Sequence, residues 1–245
     1  MGEKLKFLSR NLISKYRIPK KQMPKKQIPK KQIPKEKSLI WYIGANILRP
    51  VLNLISKKHW IGIERIPSSG SAIFIANHTS YLDGFFFAHM LYNNGRPPRF
   101  LIKSELFKVP VIGQILRAGD QIEVVRYTPQ AKSALEGALS KISQGKIIGM
   151  FPEGTLSRDP DHWPQVGKTG AARLALRSGL DIYPCAVWGG HKIIPTYQRK
   201  FYPIPRKNIF VKVGEPFRLS QQEFDVDSHD DLTRATQIMM EKIKF

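Results

Sequence analysis

Ser71-Ala72-Ile73-Phe74-Ile75-Ala76-Asn77-His78-Thr79-Ser80-Tyr81-Leu82-Asp83 is an apolar run that stops abruptly at Asn77 and His78, with four residues between the histidine and Asp83. Ala72 to Ala76 is too short and too uniformly apolar for an amphipathic helix, so it predicts a buried strand whose C-terminal end delivers the histidine. Phe85, Phe86, Phe87, Met90 and Leu91 continue as an apolar helix. Asp83 falls near its start, where unpaired N–H groups and the helix dipole favour an acidic side chain. A strand end, a short loop and a helix start can set a carboxylate beside an imidazole. Bonded to one ring nitrogen, the carboxylate fixes the tautomer and leaves the other nitrogen to take a proton from an attacking hydroxyl. That chemistry needs no serine or cysteine nucleophile.

A second stretch of the same character is Phe151-Pro152-Glu153-Gly154-Thr155-Leu156-Ser157. Together the two resemble the glycerolipid acyltransferases, the family of 1-acylglycerol-3-phosphate acyltransferase. That family carries Asn-His-x-x-x-x-Asp as its first motif and Phe-Pro-Glu-Gly-Thr-Arg-Ser as its third, in this order and at about this separation. The stretch from Lys103 to Gly113, with Pro110, resembles the region between the family's first and second motifs, where a lysine precedes an apolar turn. Gly119 through Arg126 matches the second motif, and the resemblance assigns Arg126 to the acceptor's phosphate. A guanidinium fork suits a phosphate dianion for the same geometric reason that it suits a carboxylate. Tyr183 to Trp188 resembles the fourth motif, which is linked to substrate binding.

On this resemblance His78 and Asp83 are catalytic, and Lys103, Arg126, Glu153, Gly154 and Thr155 bind substrate. One position departs from the pattern. The arginine usual after Glu-Gly-Thr is Leu156, so Arg158 and Lys168 become the candidate replacements for a phosphate contact. Gly167-Lys168-Thr169 invites comparison with a phosphate-binding P-loop, but His162 stands where the leading glycine belongs. The remaining histidines, His59, His89, His162, His191 and His229, have no metal-site spacing and read as structural or surface residues.

Between the motifs the chain alternates strands and helices. Arg99 to Lys103 and Gln121 to Arg126 read as strands, and Ala131, Ala134, Leu135, Ala138, Leu139 and Ile142 recur at helical spacing after Thr128-Pro129 until Gly145. Lys146 to Phe151 is a further apolar strand, and Lys168 to Arg177 a helix stopped by Gly179. Asp181 to Trp188 and Asn208 to Val213 are the last strands, and Ser228 to Asp231 reads as a capping box opening a closing helix. Both signature motifs then follow strand C-termini, where open α/β sheets hold their ligands. The expected fold is α/β, a mixed-sheet sandwich like that of the glycerolipid acyltransferases, preceded by a membrane-facing helical segment.

The chain has 245 residues and a formal charge of +21, long enough for one sizeable domain. Residues 1 to 40 hold 13 Lys and Arg against 2 Glu, a net of +11, which leaves +10 on the rest. Such a balance points to phosphate-rich partners. A single cysteine, Cys185, excludes an intramolecular disulfide and a cysteine-cluster metal site, and fits a reducing compartment. Four repeats of five residues begin at Ile18, Met23, Ile28 and Ile33. A proline in each removes a backbone donor and biases its neighbour toward extended conformations, so residues 1–37 are expected to form an extended basic arm. The arm reads either as a contact for acidic lipid headgroups or as a solvated low-complexity tail. No apolar segment with a small-residue cleavage site follows the first basic residues, so no secretory signal peptide is expected.

Leu39 to Ile55 turns apolar, with Trp41 and Tyr42 at one end and Lys57, Lys58 and Trp60 beyond the other. Asn46, Arg49 and Asn53 are spaced to form one polar stripe opposite a broad apolar face. A membrane span needs roughly 20 apolar residues. Residues 38–58 therefore read as an amphipathic segment lying in the membrane surface, with Trp41 and Leu52 on its lipid face, or else as a helix packed on the protein's own core. Residues 59–245 are the expected acyltransferase domain, placed at the cytoplasmic face of a membrane.

The resemblance implies transfer of a fatty acyl group from a thioester, acyl-CoA or acyl carrier protein, to the free hydroxyl of a lysophospholipid, 1-acylglycerol 3-phosphate first among them. Glycerol 3-phosphate and a lysoglycolipid are the alternative acceptors, and no cofactor is called for. A basic membrane- or nucleic-acid-binding protein is the non-enzymatic alternative. Nucleic acid is not expected, because no aromatic residue interleaves the lysine repeats.

Overall fold

The computed structural model describes residues 39–125, 131–198 and 200–244. The arm over residues 1–37, the residue Arg126 and the Thr128-Pro129 helix start lie outside the described residues. Seven strands form one sheet: β1 (Ser56–Ile61), β2 (Ala72–Ala76), β3 (Pro98–Lys103), β4 (Ile122–Val124), β5 (Ile147–Met150), β6 (Ile182–Trp188) and β7 (Lys207–Val213). Their order is β1-β7-β6-β2-β5-β3-β4, and every neighbouring pair is parallel except the antiparallel β6 and β7. The sheet is therefore mixed, with a single reversal.

β2 lies at its centre, and all five of its residues are buried. Ile73 and Ile75 point to one face, where they join Ala171, Leu174 and Ala175 of a helix at Gly170–Ser178 and Leu232, Ala235 and Met239 of the closing helix His229–Ile243. Ala72, Phe74 and Ala76 point to the other, against Phe86, Phe87 and Met90 of the helix Asp83–Asn93. A strand covered on both faces has no polar alternation to show, which is why this stretch is apolar throughout. In chain order the helices are α1 (Leu39–Ile55), α2 (Asp83–Asn93), α3 (Ser104–Phe107), α4 (Ile112–Ala118), α5 (Ala131–Ser143), α6 (Gly170–Ser178) and α7 (His229–Ile243). α1 and α2 cover one face, α5, α6 and α7 the other, giving a three-layer sandwich.

Most boundaries fall within two or three residues of the sequence expectation, and three features differ. The helical segment expected over 38–58 stops at Ile55, because Ser56 to Lys58 belong to β1, the outer strand paired with β7. Second, α1 is not split into a polar stripe and one apolar face. Leu52 and Ile55 are buried in the core, whereas Ile43, Ile47, Val51 and Leu54 are exposed, so the helix has two apolar faces. Leu52 thus packs inward rather than toward a bilayer, Trp41 stacks on Tyr92, and Arg49 leaves the expected stripe to lie over the same ring at 4.6 Å. Third, Ser228 caps α7 by accepting from the Asp231 N–H, but the Asp231 carboxylate reaches back to the Asp225 N–H and not to Ser228. Among the described residues no helix is long and apolar enough to cross a membrane.

Candidate active site

The β2 ladder with β6 ends at Ala76, paired with Cys185. One residue on, the Asn77 side chain takes over. Its amide donates to the Val187 carbonyl at 3.0 Å and its oxygen accepts from the Val187 N–H at 2.7 Å. An asparagine can imitate a peptide group in this way, so the backbone is released from the sheet while its position stays fixed. His78 follows directly, at the sheet edge formed by the C-terminal ends of β2, β5 and β6.

The chain then folds back on Asp83, the first residue of α2, which is wholly buried. Its Oδ2 accepts from the Thr79 and Ser80 N–H groups at 2.5 and 2.6 Å, and lies 3.4 Å from His78 Nδ1. Backbone donors hold the carboxylate, and the carboxylate meets the imidazole. Behind it Gly190 approaches so closely that a Cβ there would stand 2.7 Å from Asp83 Oδ1, so a larger residue would have to displace the carboxylate. The other ring face of the histidine is set by Phe151, stacked at 4.2 Å between centroids and 20° between planes.

Glu153 joins the two motif loops. One carboxylate oxygen accepts from the His78 N–H at 2.8 Å and the other from the Gln165 N–H at 2.9 Å. The group is 3 % exposed, and burial pushes its carboxyl above the usual range against the pull of those two donors. Buried and engaged at both oxygens, it braces the histidine loop. Ser157 adds a second tie, its N–H donating to the His78 carbonyl at 2.7 Å.

Gly154 turns the loop with a φ of +67°, in the left-handed region that favours glycine. The Lys168 side chain runs past it, its Cδ 3.1 Å from where a Cβ would lie, so the bare backbone here lets the lysine cross the motif. Thr155 is exposed beside it. Leu156 is 5 % exposed and packs inward. Arg158 is exposed and lies over the Tyr197 ring at 5.8 Å. Tyr197 donates its hydroxyl to the Leu156 carbonyl at 2.8 Å, and Thr196 donates to the Thr79 carbonyl. Lys103 closes β3 at the same edge of the sheet, exposed and with no described contact to the histidine loop. The structure thus brings His78, Asp83, Phe151, Glu153, Gly154, Leu156, Arg158 and Lys168 around one edge.

Asn77, Ser157, Gln165, Thr196 and Tyr197 were missed as site-builders from sequence. Asn77 and Ser157 carry a signal, since each sits inside a quoted motif, but Thr196 and Tyr197 come from a loop without one. His162 and His191 stack at 4.1 Å against Trp188, and burial with the neighbouring imidazole lowers His191 to about 4. Among the described residues no group of three or more His, Cys, Asp or Glu side chains could hold a metal ion.

The family described as Acyltransferase matches residues 58–188, more than half of the chain and both loops of this site. The chain belongs to the acyltransferase family. It is 31% identical over 137 residues to a chloroplastic 1-acyl-sn-glycerol-3-phosphate acyltransferase of Brassica napus, covering 55% of this chain and 38% of that protein. It is 31% identical over 128 residues to the 1-acyl-sn-glycerol-3-phosphate acyltransferase of Borreliella burgdorferi, covering 52% and 49%. The match thus spans half or less of these curated relatives. The crystal structure of the 1-acyl-sn-glycerophosphate acyltransferase of Thermotoga maritima superposes with a TM-score of 0.59 at 23% identity, covering 84% of this chain and 92% of that one. At that identity it establishes the shared mixed α/β fold.

Proposed function

We propose that this acyltransferase transfers a fatty acyl group from a thioester to the free hydroxyl of a lysophospholipid, with 1-acylglycerol 3-phosphate as acceptor and phosphatidic acid as product. The observation that carries the chemistry is the approach of His78 Nδ1 to a wholly buried Asp83 carboxylate at a strand-end edge. Nδ1 engaged by Asp83 directs the proton-accepting lone pair to Nε2, which takes the acceptor's hydroxyl proton as the oxygen attacks the thioester carbonyl. The carbon–sulfur bond breaks, the thiolate leaves, and Nε2 returns the proton to sulfur. The thioester is already activated, so deprotonation and orientation of the alcohol are the steps left to the protein. Donors of either kind, acyl-CoA or acyl carrier protein, fit this scheme, and no cofactor enters it.

The acceptor assignment draws on the printed names of the Brassica and Borreliella relatives. Arg158, Lys168, Lys103 and Arg126 are the cations proposed for its phosphate, with Gly154 and Thr155 shaping the loop between them. The lipid substrate and the exposed apolar residues Ile43, Ile47, Val51 and Leu54 of α1 support a protein that works on an anionic membrane surface, at its cytoplasmic face, with α1 lying in the interface. The test is an assay of purified protein with acyl-CoA and acyl carrier protein donors against lysophosphatidic acid, glycerol 3-phosphate, a lysophosphodiester and a lysoglycolipid. Lysophosphatidic acid is expected to be preferred; no acyl transfer to any of the four would overturn the reading.

A further inference from the structure

Lys58 stands where the sheet calls for an apolar residue. The register of β1 with β7 sets Ser56, Lys58 and Trp60 beside Lys207, Ile209 and Val211, and Ile209 and Val211 are wholly buried on the side covered by α1 and α2. Side chains alternate along a strand, so this face of β1 looks inward. Its other two members behave accordingly: Ser56 donates its hydroxyl to the Leu52 carbonyl, and Trp60 meets His89 edge-on at 5.8 Å. Lys58, between them, is half-buried and donates to Asn53 Oδ1 at the end of α1.

Two guanidinium groups share its surroundings. Arg206 donates from Nη2 to the Ser56 carbonyl at 2.8 Å, and Arg49 lies over Tyr92. Among the described residues none of these three cations is paired with a carboxylate. Arg49 Nε and His89 Nδ1 are buried there without any hydrogen-bond partner. The gathering shows in the ionisation as well: burial first, then Arg206 and Arg49, hold the Lys58 ammonium below its ordinary range, and burial, Lys58 and Arg49 lower His89 to about 3. Like charges collected around unmet buried polar atoms are unfavourable in isolation, and a bound anion reverses the sign of that interaction.

We infer that Arg49, Lys58 and Arg206 form an anion site that takes a phosphate group. A phosphate presents several oxygens to separate donors at once, which suits two guanidinium forks and an ammonium carried by different elements around Lys58. The site is distinct from the His78 loop, though Ser56 and Lys207 lie at the same sheet edge as Trp188. Val51 and Leu54, exposed on the neighbouring turn of α1, flank it with apolar surface. A phosphate on an anionic lipid headgroup, with its chains toward α1, presents this chemistry; so does a soluble phosphate or phosphate ester. The headgroup form shares α1 with the membrane reading above, whereas the anion site itself does not depend on acyl transfer.

The test uses the full chain, so that the charge of the basic arm over residues 1–37 is the same in every variant. Arg49→Gln with Lys58→Gln is compared with a charge-matched control, Arg218→Gln with Lys244→Gln, which removes two cations elsewhere. Binding is measured to phosphatidylcholine vesicles with and without phosphatidic acid at high ionic strength, where diffuse attraction is screened. In parallel, the melting temperature is followed as inorganic phosphate is added. Wild type and control are expected to bind the acidic vesicles several-fold more tightly than neutral ones, and the site variant to lose most of that difference. Phosphate stabilising wild type but not the site variant, without a vesicle effect, would also support the site and make a soluble ester its ligand. Arg206→Gln, at an exposed side chain, repeats the comparison if the double variant does not fold. A site variant indistinguishable from the control with both probes overturns the inference, and because neither readout involves turnover, that failure is separate from failure of the acyltransferase assignment.

Discussion

At the scale of single residues, the proposed base His78 is held by contacts that engage its Nδ1 and its backbone. Phe151 stacks on the ring, Asp83 meets Nδ1, and Glu153 with Ser157 fixes the backbone on either side. His78→Ala is therefore expected to lower kcat by about 10²–10⁴-fold, the range of general-base catalysis, with a melting temperature close to wild type. Asp83→Asn should fall comparably, since an amide can hold the ring in the wrong tautomer. Turnover within a few-fold of wild type in either purified variant would refute the assignment. His89 gives a separate prediction about stability. Its folded value of about 3 lies below the ordinary 6.5, so between those values the unfolded chain binds the extra proton. Stability is then complete above pH 6.5 and declines as pH falls toward 3. At pH 5 the loss is about 2 kcal/mol, from roughly 1.4 kcal/mol per pH unit below 6.5. Thermal melts of wild type at pH 8 and 5, against His89→Gln, check this: the variant's profile should be flatter over that window. What was legible in the sequence at this scale was the meeting of His78 and Asp83, because both sit in one short motif. The bracing role of Glu153 was not legible, since a carboxylate facing substrate and one facing backbone N–H groups read alike in a string of letters.

Among elements, the central ones were the most legible and the outer ones the least. β2 and β5 are buried along their whole lengths, so hydrophobic burial alone sets their composition. β1 is an outer strand reading Ser-Lys-Lys-His-Trp-Ile, with a lysine on its inner face, and no period-2 signal survives in such a string. α1 misled for a different reason. Its apolar residues serve two surfaces, and spacing cannot say which apolar side chain meets protein and which is left outside. The structure separates them, and the separation is testable. Ile47 and Leu54 are 66% and 76% exposed, so replacing both with Asp should release the protein from vesicles at any salt while leaving the melting temperature nearly unchanged. Leu52 is 3% exposed, so Leu52→Ala should instead cost about 2–5 kcal/mol of stability, by lost burial and the cavity left behind. Vesicle binding that survives the double Asp change, or a Leu52→Ala protein as stable as wild type, would contradict this division of the helix.

For the whole molecule the question is how a basic protein would hold the proposed phosphate acceptor with a leucine at position 156. A phosphate monoester leaving water needs cations to offset its charge, and position 156 supplies none, because leucine is uncharged and here packs inward. Two residues later the loop is tied down from outside: the Tyr197 hydroxyl holds the Leu156 carbonyl while the Tyr197 ring lies against the Arg158 guanidinium. Through Thr196, the same strap reaches the Thr79 carbonyl beside His78 and Asp83. Arg158 is thus presented by a loop linked to both motifs, which favours its having taken over the missing contact. Arg158→Ala is expected to raise KM for lysophosphatidic acid about tenfold, roughly 1.4 kcal/mol, with little change in KM for the thioester. Tyr197→Leu removes the hydroxyl and the ring together, so it should raise the same KM by a smaller factor. Should Arg158→Ala leave KM unchanged while a lysophosphodiester outcompetes lysophosphatidic acid in the wild type, the loss at position 156 marks an acceptor whose phosphate is already esterified, and the acceptor assignment falls while the acyl-transfer chemistry of His78 stands.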